Sequence, residues 1–277
     1  MHRDLMIKAY IHGPYSAFNI SDPKPRNIHK ASVRDRLLHH AIYRVLYPHF
    51  DKKFIHDSYS CRLNKGTHKA ISKFKVYSLK VSKNNTKQCF ILKCDIKKFF
   101  ASIDHSILVQ IIEKNIDDET MWLLKMVINS FHTDIGKGLP LGNLTSQLLV
   151  NIYMNEFDQF VKHKLKAKWY IRYADDFVLM SEDRKELEDN VRYIECYLND
   201  ILKLSFHPYK VFIKTLSSGV DFLGWVHFDD HRVLRTATKK KMLRNLKNNK
   251  SAGPLNSYLG LLKHGNAHKL EEIIKML

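Results

Sequence analysis

The sequence predicts an α+β protein whose centre is a ferredoxin-like sheet of the split βαβ kind. Three observations lead there. Between residues 89 and 216 the apolar pattern reads strand, helix, strand, strand, helix, strand. A long amphipathic helix lies between the first strand and the other three. The last forty residues read as basic helices with no strand pattern.

The elements follow in order. Tyr10–Arg26 is rich in turn formers (Gly13-Pro14, Pro23, Pro25) and reads as short strands and loops. Val33–Phe50 places Val33, Leu37, Leu38, Ala41, Ile42, Val45 and Leu46 at helical spacing, with Pro48 marking its end. Lys65–Lys80 reads as a more basic helix and Ser82–Gln88 as a polar loop. Cys89–Asp95 is a short apolar run ending in a carboxylate, hence a buried strand. Helices are expected over His105–Lys114 and Glu119–Asn129, then a glycine- and proline-containing loop over Gly136–Gly142. The long helix runs from Asn143 to Lys166, with Leu144, Leu148, Leu149, Ile152, Tyr153, Phe157, Phe160 and Val161 on its apolar side. Trp169–Tyr173 and Phe177–Met180 read as strands around Ala174-Asp175-Asp176. Ser181 is the expected cap of a helix reaching Leu202. Further strands are expected over Val211–Leu216, Val220–Phe228 and Arg232–Arg235.

Charge points to a partner. The 277 residues hold 46 Lys and Arg against 28 Asp and Glu, a net +18. Residues 1–80 are net +11, residues 231–277 net +9, and the middle is net −2. Two basic flanks around a slightly acidic centre suit a polyanion, since each neutralised phosphate releases counterions. The bland alternative is a merely soluble basic protein. No apolar run reaches the ~18 residues of a membrane span, and Met1-His2-Arg3-Asp4 begins no apolar signal core. Cys61, Cys89, Cys94 and Cys196 show neither metal spacing nor a disulfide framework, so a reducing, cytoplasmic setting is expected. His39-His40 and His264…His268 lack the companions of a tetrahedral metal set and read as solvated or phosphate-facing.

Three carboxylates stand out. Asp95 ends the first buried strand, and Asp175 and Asp176 sit at a hairpin tip. An ordinary polar turn is the alternative, but the flanks Trp169–Arg172 and Phe177–Met180 are too apolar for a surface hairpin. Adjacent carboxylates in low dielectric repel. Hard divalent cations with oxygen ligands resolve that repulsion, and two Mg²⁺ ions ~3.5–4 Å apart are the usual arrangement for in-line displacement at phosphorus.

Here the sequence resembles the reverse transcriptases. Tyr173-Ala174-Asp175-Asp176 matches their Tyr/Phe-x-Asp-Asp box, and Asp95-Ile96-Lys97-Lys98-Phe99-Phe100 matches their first catalytic box. The resemblance implies that Asp95, Asp175 and Asp176 hold two Mg²⁺ ions and that Phe100 excludes a ribose 2′-hydroxyl. It implies triphosphate and template contacts at Lys24, Arg26 and Arg36, and proton donation to pyrophosphate by Lys210. It also implies a primer grip at Phe222-Leu223-Gly224-Trp225 and a thumb in the basic tail. Read without the resemblance, Phe100 could be a core aromatic, and Arg26, Arg36 and Lys210 could be solvated charges. Gly138 and Gly142 could merely shape a turn; otherwise they let the backbone approach a nucleotide before a helix N-terminus. Gln147 reads either as a satisfied core polar group or as a contact to the template base or incoming nucleotide.

The string Leu141-Gly142-Asn143-Leu144-Thr145-Ser146-Gln147 has Gln where intron-type relatives have Pro. In this it resembles the reverse transcriptases of diversity-generating retroelements, which copy a template-repeat RNA into error-rich cDNA. Phe54–Arg62, Lys65–Ala70 and Leu259–Asn266 support the likeness. Members usually carry a longer helical stretch before the segment matching Tyr10–Phe18. The expectation is a right-hand polymerase with fingers over 1–88, palm over 89–229 and helical thumb over 230–277. Its expected partners are template RNA, cDNA primer duplex, deoxynucleoside triphosphates and a small basic accessory protein, with no membrane. The alternatives are a group II intron, retron or defence reverse transcriptase, and a catalytically idle RNA-binding protein on the same scaffold.

Overall fold

The structure is a computed structural model that describes residues 1–21, 25–248 and 251–275. Short α1 (His2–Met6) precedes an antiparallel hairpin, β1 (Ser16–Ile20) and β2 (Arg26–Lys30). α2 (Val33–Asp51) starts at Ser32, whose hydroxyl accepts from the Asp35 amide. It buries Leu38, Ile42, Leu46 and Phe50, one per turn. Pro48 lies inside its last turn rather than at its end, because there a proline costs only one backbone hydrogen bond. α3 (Thr67–Val81) follows.

β3 (Phe90–Asp95) leads into a single helical turn, α4 (Phe99–Ser102), then α5 (His105–Glu113), α6 (Asp118–Asn129) and α7 (Leu144–Gln159). α7 is buried on almost every side, Thr145, Ser146, Asn151 and Asp158 included, so it is a central helix rather than a one-sided amphipathic one. It closes in a π-turn at Phe160–Lys164. β4 (Tyr170–Tyr173) and β5 (Asp176–Ser181) form the next hairpin. α8 (Arg184–Asp200) is capped by Asp183, not Ser181: Asp183 accepts from the Lys185 amide, while Ser181 ends the strand and receives the Asp183 amide. β6 (Phe212–Thr215) completes a four-stranded antiparallel sheet in the order β4-β5-β3-β6. This is the split βαβ arrangement read from the sequence.

Alternation along the strands serves two cores. Leu92, Cys94, Phe177 and Leu179 face α2, α5, α7 and α8. Ile91, Val178, Met180 and Ile171 face α3 and the following hairpin. The strand expected over Val220–Phe228 is instead β7 (Val220–Phe222) and β8 (Trp225–His227), folded at Leu223 and Gly224, both with positive φ (52° and 88°). With β9 (Arg232–Leu234) they form a three-stranded sheet. α9 (Thr236–Asn248), α10 (Ala252–Leu262) and α11 (His268–Lys275) pack on it around Trp225, Met242, Leu262 and Ile274. No helix among the described residues is long and apolar enough to cross a membrane. All four cysteines are free.

Candidate active site

Asp95 and Asp176 are Cα partners across the β3·β5 pair, so their side chains leave the same face of the sheet side by side. Like charges placed so are destabilising unless a cation intervenes. Asp175 lies beside them in the two-residue loop joining β4 to β5, where Ala174 adopts a left-handed φ of 55°. The Ile96 amide holds the Asp175 carbonyl at 3.3 Å.

Two ammonium groups answer this charge. Lys210 Nζ lies 2.9 Å from both carboxylate oxygens of Asp95, and Lys93 Nζ lies 3.3 Å from Asp176 Oδ2. Lys210 is placed by backbone stitching: the His207 amide donates to the Asp95 carbonyl at 2.8 Å, and the Lys97 amide to Ser205 at 2.9 Å. Asp176 Oδ1 is buried with no hydrogen-bond partner. Burial, with the charges of Asp175 and Asp95, pushes the Asp176 carboxyl up to about 7, although Lys93 opposes this. Burial and Asp95 raise Asp175 as well, against Lys210 and Arg26.

Among the described residues no three His, Cys, Asp or Glu side chains are arranged to hold a metal ion as they stand. The donor chemistry nevertheless fits a hard divalent cation. The donors are carboxylate oxygens; one is orphaned, and burial with the neighbouring carboxylates raises two of the groups despite the lysines beside them.

The other expected site residues fall around this centre. Arg26 begins β2 and is close enough to act electrostatically on Asp175. Lys24 lies outside the described residues. Arg36 stands in the first turn of α2, partly buried, with Nε unpaired. Phe99 is buried and Phe100 half-buried, edge-on to it at 5.6 Å, both on α4. The Phe100 carbonyl is held by the Leu139 amide at 2.8 Å. Gly142 (φ 101°) allows close approach, and what approaches is β2: a Cβ there would lie 2.6 Å from Ile28 Cγ2. Asn143 staples the same contact, donating to the His29 carbonyl at 2.7 Å. Gln147 is half-exposed in the first turn of α7. In the segment expected to grip the primer, Phe222 and Trp225 are buried in the cores, so the turn Leu223-Gly224 is what the hairpin presents.

Two charged residues near the carboxylates were not singled out from the sequence. Lys93 and Arg172 each interrupt an apolar strand within three residues of a key aspartate, and that interruption is the available signal. His39 is neither solvated nor phosphate-facing, contrary to what the sequence suggested. It is buried, shares a hydrogen bond with His12 (3.0 Å) and contacts Thr145, and burial lowers it to about 4.

Residues 21–227 match the family described as reverse transcriptase (RNA-dependent DNA polymerase). The chain is similar to Protein YkfC of Escherichia coli (strain K12), 27% identical over 264 residues, covering 81% of this chain and 67% of that protein. It is similar to the group II intron-encoded protein LtrA of Lactococcus lactis subsp. cremoris, 23% identical over 287 residues, covering 79% of this chain and 46% of LtrA. It also resembles a putative COX1/OXI3 intron 2 protein of Saccharomyces cerevisiae, 21% identical over 207 residues, covering 52% of this chain and 24% of that one. Among solved structures, telomerase from Candida albicans with a TWJ fragment of telomeric RNA superposes with TM-score 0.58 at 14% identity, covering 82% of this chain and 46% of that one. Apo telomerase from Candida tropicalis, truncated from its C-terminal domain, gives 0.59 at 11%, covering 80% and 55%. At such identities the structural likeness concerns the fold. The chain spans about two thirds of the E. coli protein and about half or less of the others.

Proposed function

Because the chain belongs to the reverse transcriptase (RNA-dependent DNA polymerase) family, we propose that it extends a DNA primer on an RNA template through attack of the primer 3′-hydroxyl on a deoxynucleotide α-phosphate. The observation that carries this reading is the register of Asp95 against Asp176 with Asp175 beside them. These three would hold Mg²⁺, which would supply positive charge where the phosphoryl group transfers. Lys210, whose ammonium contacts the Asp95 carboxylate, would donate a proton toward departing pyrophosphate. Arg26 and Arg36 would orient the triphosphate, as would Lys24, and Phe100 would stand against the sugar. Fingers over 1–88 and thumb over 230–277, the two positive flanks, would close on the duplex held by the palm over 89–229. Asp175→Ala is expected to abolish extension while RNA binding survives at low salt. Extension by that variant would refute the assignment, and absence of extension by the parent chain would favour the idle RNA-binding scaffold.

Within the family we favour a diversity-generating retroelement enzyme, working with a small basic accessory protein. The Leu141–Gln147 string supports it, with Gln147 loosening the fit at template adenine. The intron-encoded relatives favour the second reading, a group II intron-type enzyme. Misincorporation opposite template adenine decides between them. The first reading predicts that Gln147→Pro reduces it selectively, and an unchanged error spectrum contradicts that reading.

A further inference from the structure

Arg172 is a fully buried arginine in β4, three residues before Asp175. An isolated charge there would be prohibitively costly, so its partners explain its presence. Nε and Nη2 grip the two oxygens of Asp158 on α7, each at 2.7 Å, in a bidentate fork. Asp158 is equally buried and also receives the Tyr170 hydroxyl at 2.7 Å. Nη2 reaches Ser58 Oγ at 3.0 Å and Nη1 reaches Asn151 Oδ1 at 3.3 Å. The remaining bond goes forward: Nη1 donates to the carbonyl of Ala174 at 3.1 Å. A lysine, with a single nitrogen, cannot serve these directions together.

That last bond has a consequence for the carboxylates. Ala174 holds a left-handed φ that disfavours any residue with a Cβ, by roughly 1–2 kcal/mol. Its carbonyl is therefore fixed from outside the turn, and the next two residues are Asp175 and Asp176. The Arg172 backbone ties the same point to a second segment: its amide donates to Asp57 O (3.0 Å), and its carbonyl accepts from the Tyr59 amide (2.9 Å).

We propose that Arg172 is a positioning residue that sets the pitch of Asp175 and Asp176 by holding the Ala174 carbonyl, with Asp158 as the anchor that aims its guanidinium. This inference rests on the polymerase reading above. It concerns the geometry of the carboxylates, not the stability of the pair, because a buried ion pair is often replaceable by apolar residues without loss of stability.

The test uses the full chain in three variants. Arg172→Lys keeps the charge opposite Asp158 and gives up the bond to the turn. The double variant Arg172→Met with Asp158→Leu removes both charges together, which leaves no unpaired ion inside. Ser58→Ala deletes a guanidinium partner away from the turn. Folding is followed by circular dichroism, metal affinity by calorimetry with Mg²⁺ alone, and kcat and KM by single-primer extension. The inference predicts that the first two variants fold, bind Mg²⁺ at least fivefold more weakly and lose at least tenfold in kcat. KM for primer–template should stay within twofold, and Ser58→Ala should match the parent throughout. Parent-like Mg²⁺ affinity and kcat in folded variants would overturn it. So would an equal loss in Ser58→Ala, or failure of both Arg172→Lys and the double variant to fold, since Arg172 would then serve the fold as a whole. If the parent chain does not extend primers, the polymerase reading fails instead, and Mg²⁺ affinity still reports on the turn.

Discussion

Gly142→Ala tests how the β1–β2 hairpin is held against the loop that precedes α7. The added Cβ would lie 2.6 Å from Ile28 Cγ2, against the ~3.5–4.0 Å at which carbon atoms rest. The residue also keeps φ at 101°, a region L residues seldom adopt. Strain of that kind costs about 1–2 kcal/mol, and overpacking a fitted contact about 1–3 kcal/mol. The sum is about 2–5 kcal/mol, directed at the contact that docks Arg26 near Asp175. Urea denaturation of parent, Gly142→Ala, Ile28→Ala and the double variant separates the parts. Ile28→Ala removes the clashing methyl but not the backbone strain, so a coupling of about 1–3 kcal/mol is expected, with the remainder surviving in the double variant. The KM for deoxynucleotide should rise in Gly142→Ala and partly recover in the double variant. A Gly142→Ala protein within about 0.5 kcal/mol of the parent, or a coupling near zero, would refute the reasoning.

Three further outcomes follow from the same geometry. Burial lowers His227 to about 4, so it is a neutral group in the fold that protonates readily once unfolded. The stability it contributes is complete above the unfolded value near 6.5 and is lost as pH falls toward 4, on the order of 3 kcal/mol. The stability difference between parent and His227→Gln should follow that window, and a difference independent of pH would contradict it; the comparison cancels the opposite contribution of Asp176. Phe100→Val should relax discrimination against ribonucleotides at least tenfold in single-nucleotide incorporation, whereas unchanged selectivity would return Phe100 to a packing role. Gly265 packs against the ring of Trp225 with no room for a Cβ, so Gly265→Ala should destabilise by about 1–3 kcal/mol and weaken primer–template binding, read by calorimetry and titration.

The central sheet was legible because its signals are local. Asp95 closes an apolar run, and the Tyr173–Asp176 string sits between two others, so strand order and the meeting of the carboxylates both follow from short-range pattern. The resemblance then supplied roles for Lys210 and Arg26, and both lie near the carboxylates. What stayed hidden depends on partners distant in sequence. Arg172 and Asp158 read singly as polar residues in apolar surroundings, and only their pairing explains the burial of both. The fold-back at Leu223-Gly224 was masked by the apolar residues on both sides of it, Phe222, Trp225 and Val226, since Leu223 gives no sign of its positive φ. Gly142 reads either as a turn former or as making room for a nucleotide, and neither reading reveals its neighbour Ile28, more than a hundred residues earlier in the chain. The burial of α7 on almost every side was hidden for the same reason: Asn151, Asp158 and Thr145 look outward-facing until their partners Ser60, Arg172 and His39 are placed.

The most direct test is single-nucleotide extension of a DNA primer annealed to RNA, with Mg²⁺ and deoxynucleotides, comparing the parent chain with Asp176→Asn. That substitution keeps the side chain's shape and removes its charge. The account predicts templated addition by the parent and none by the variant, with both equally folded and equally able to bind the duplex. Extension by Asp176→Asn at the parent rate would contradict it.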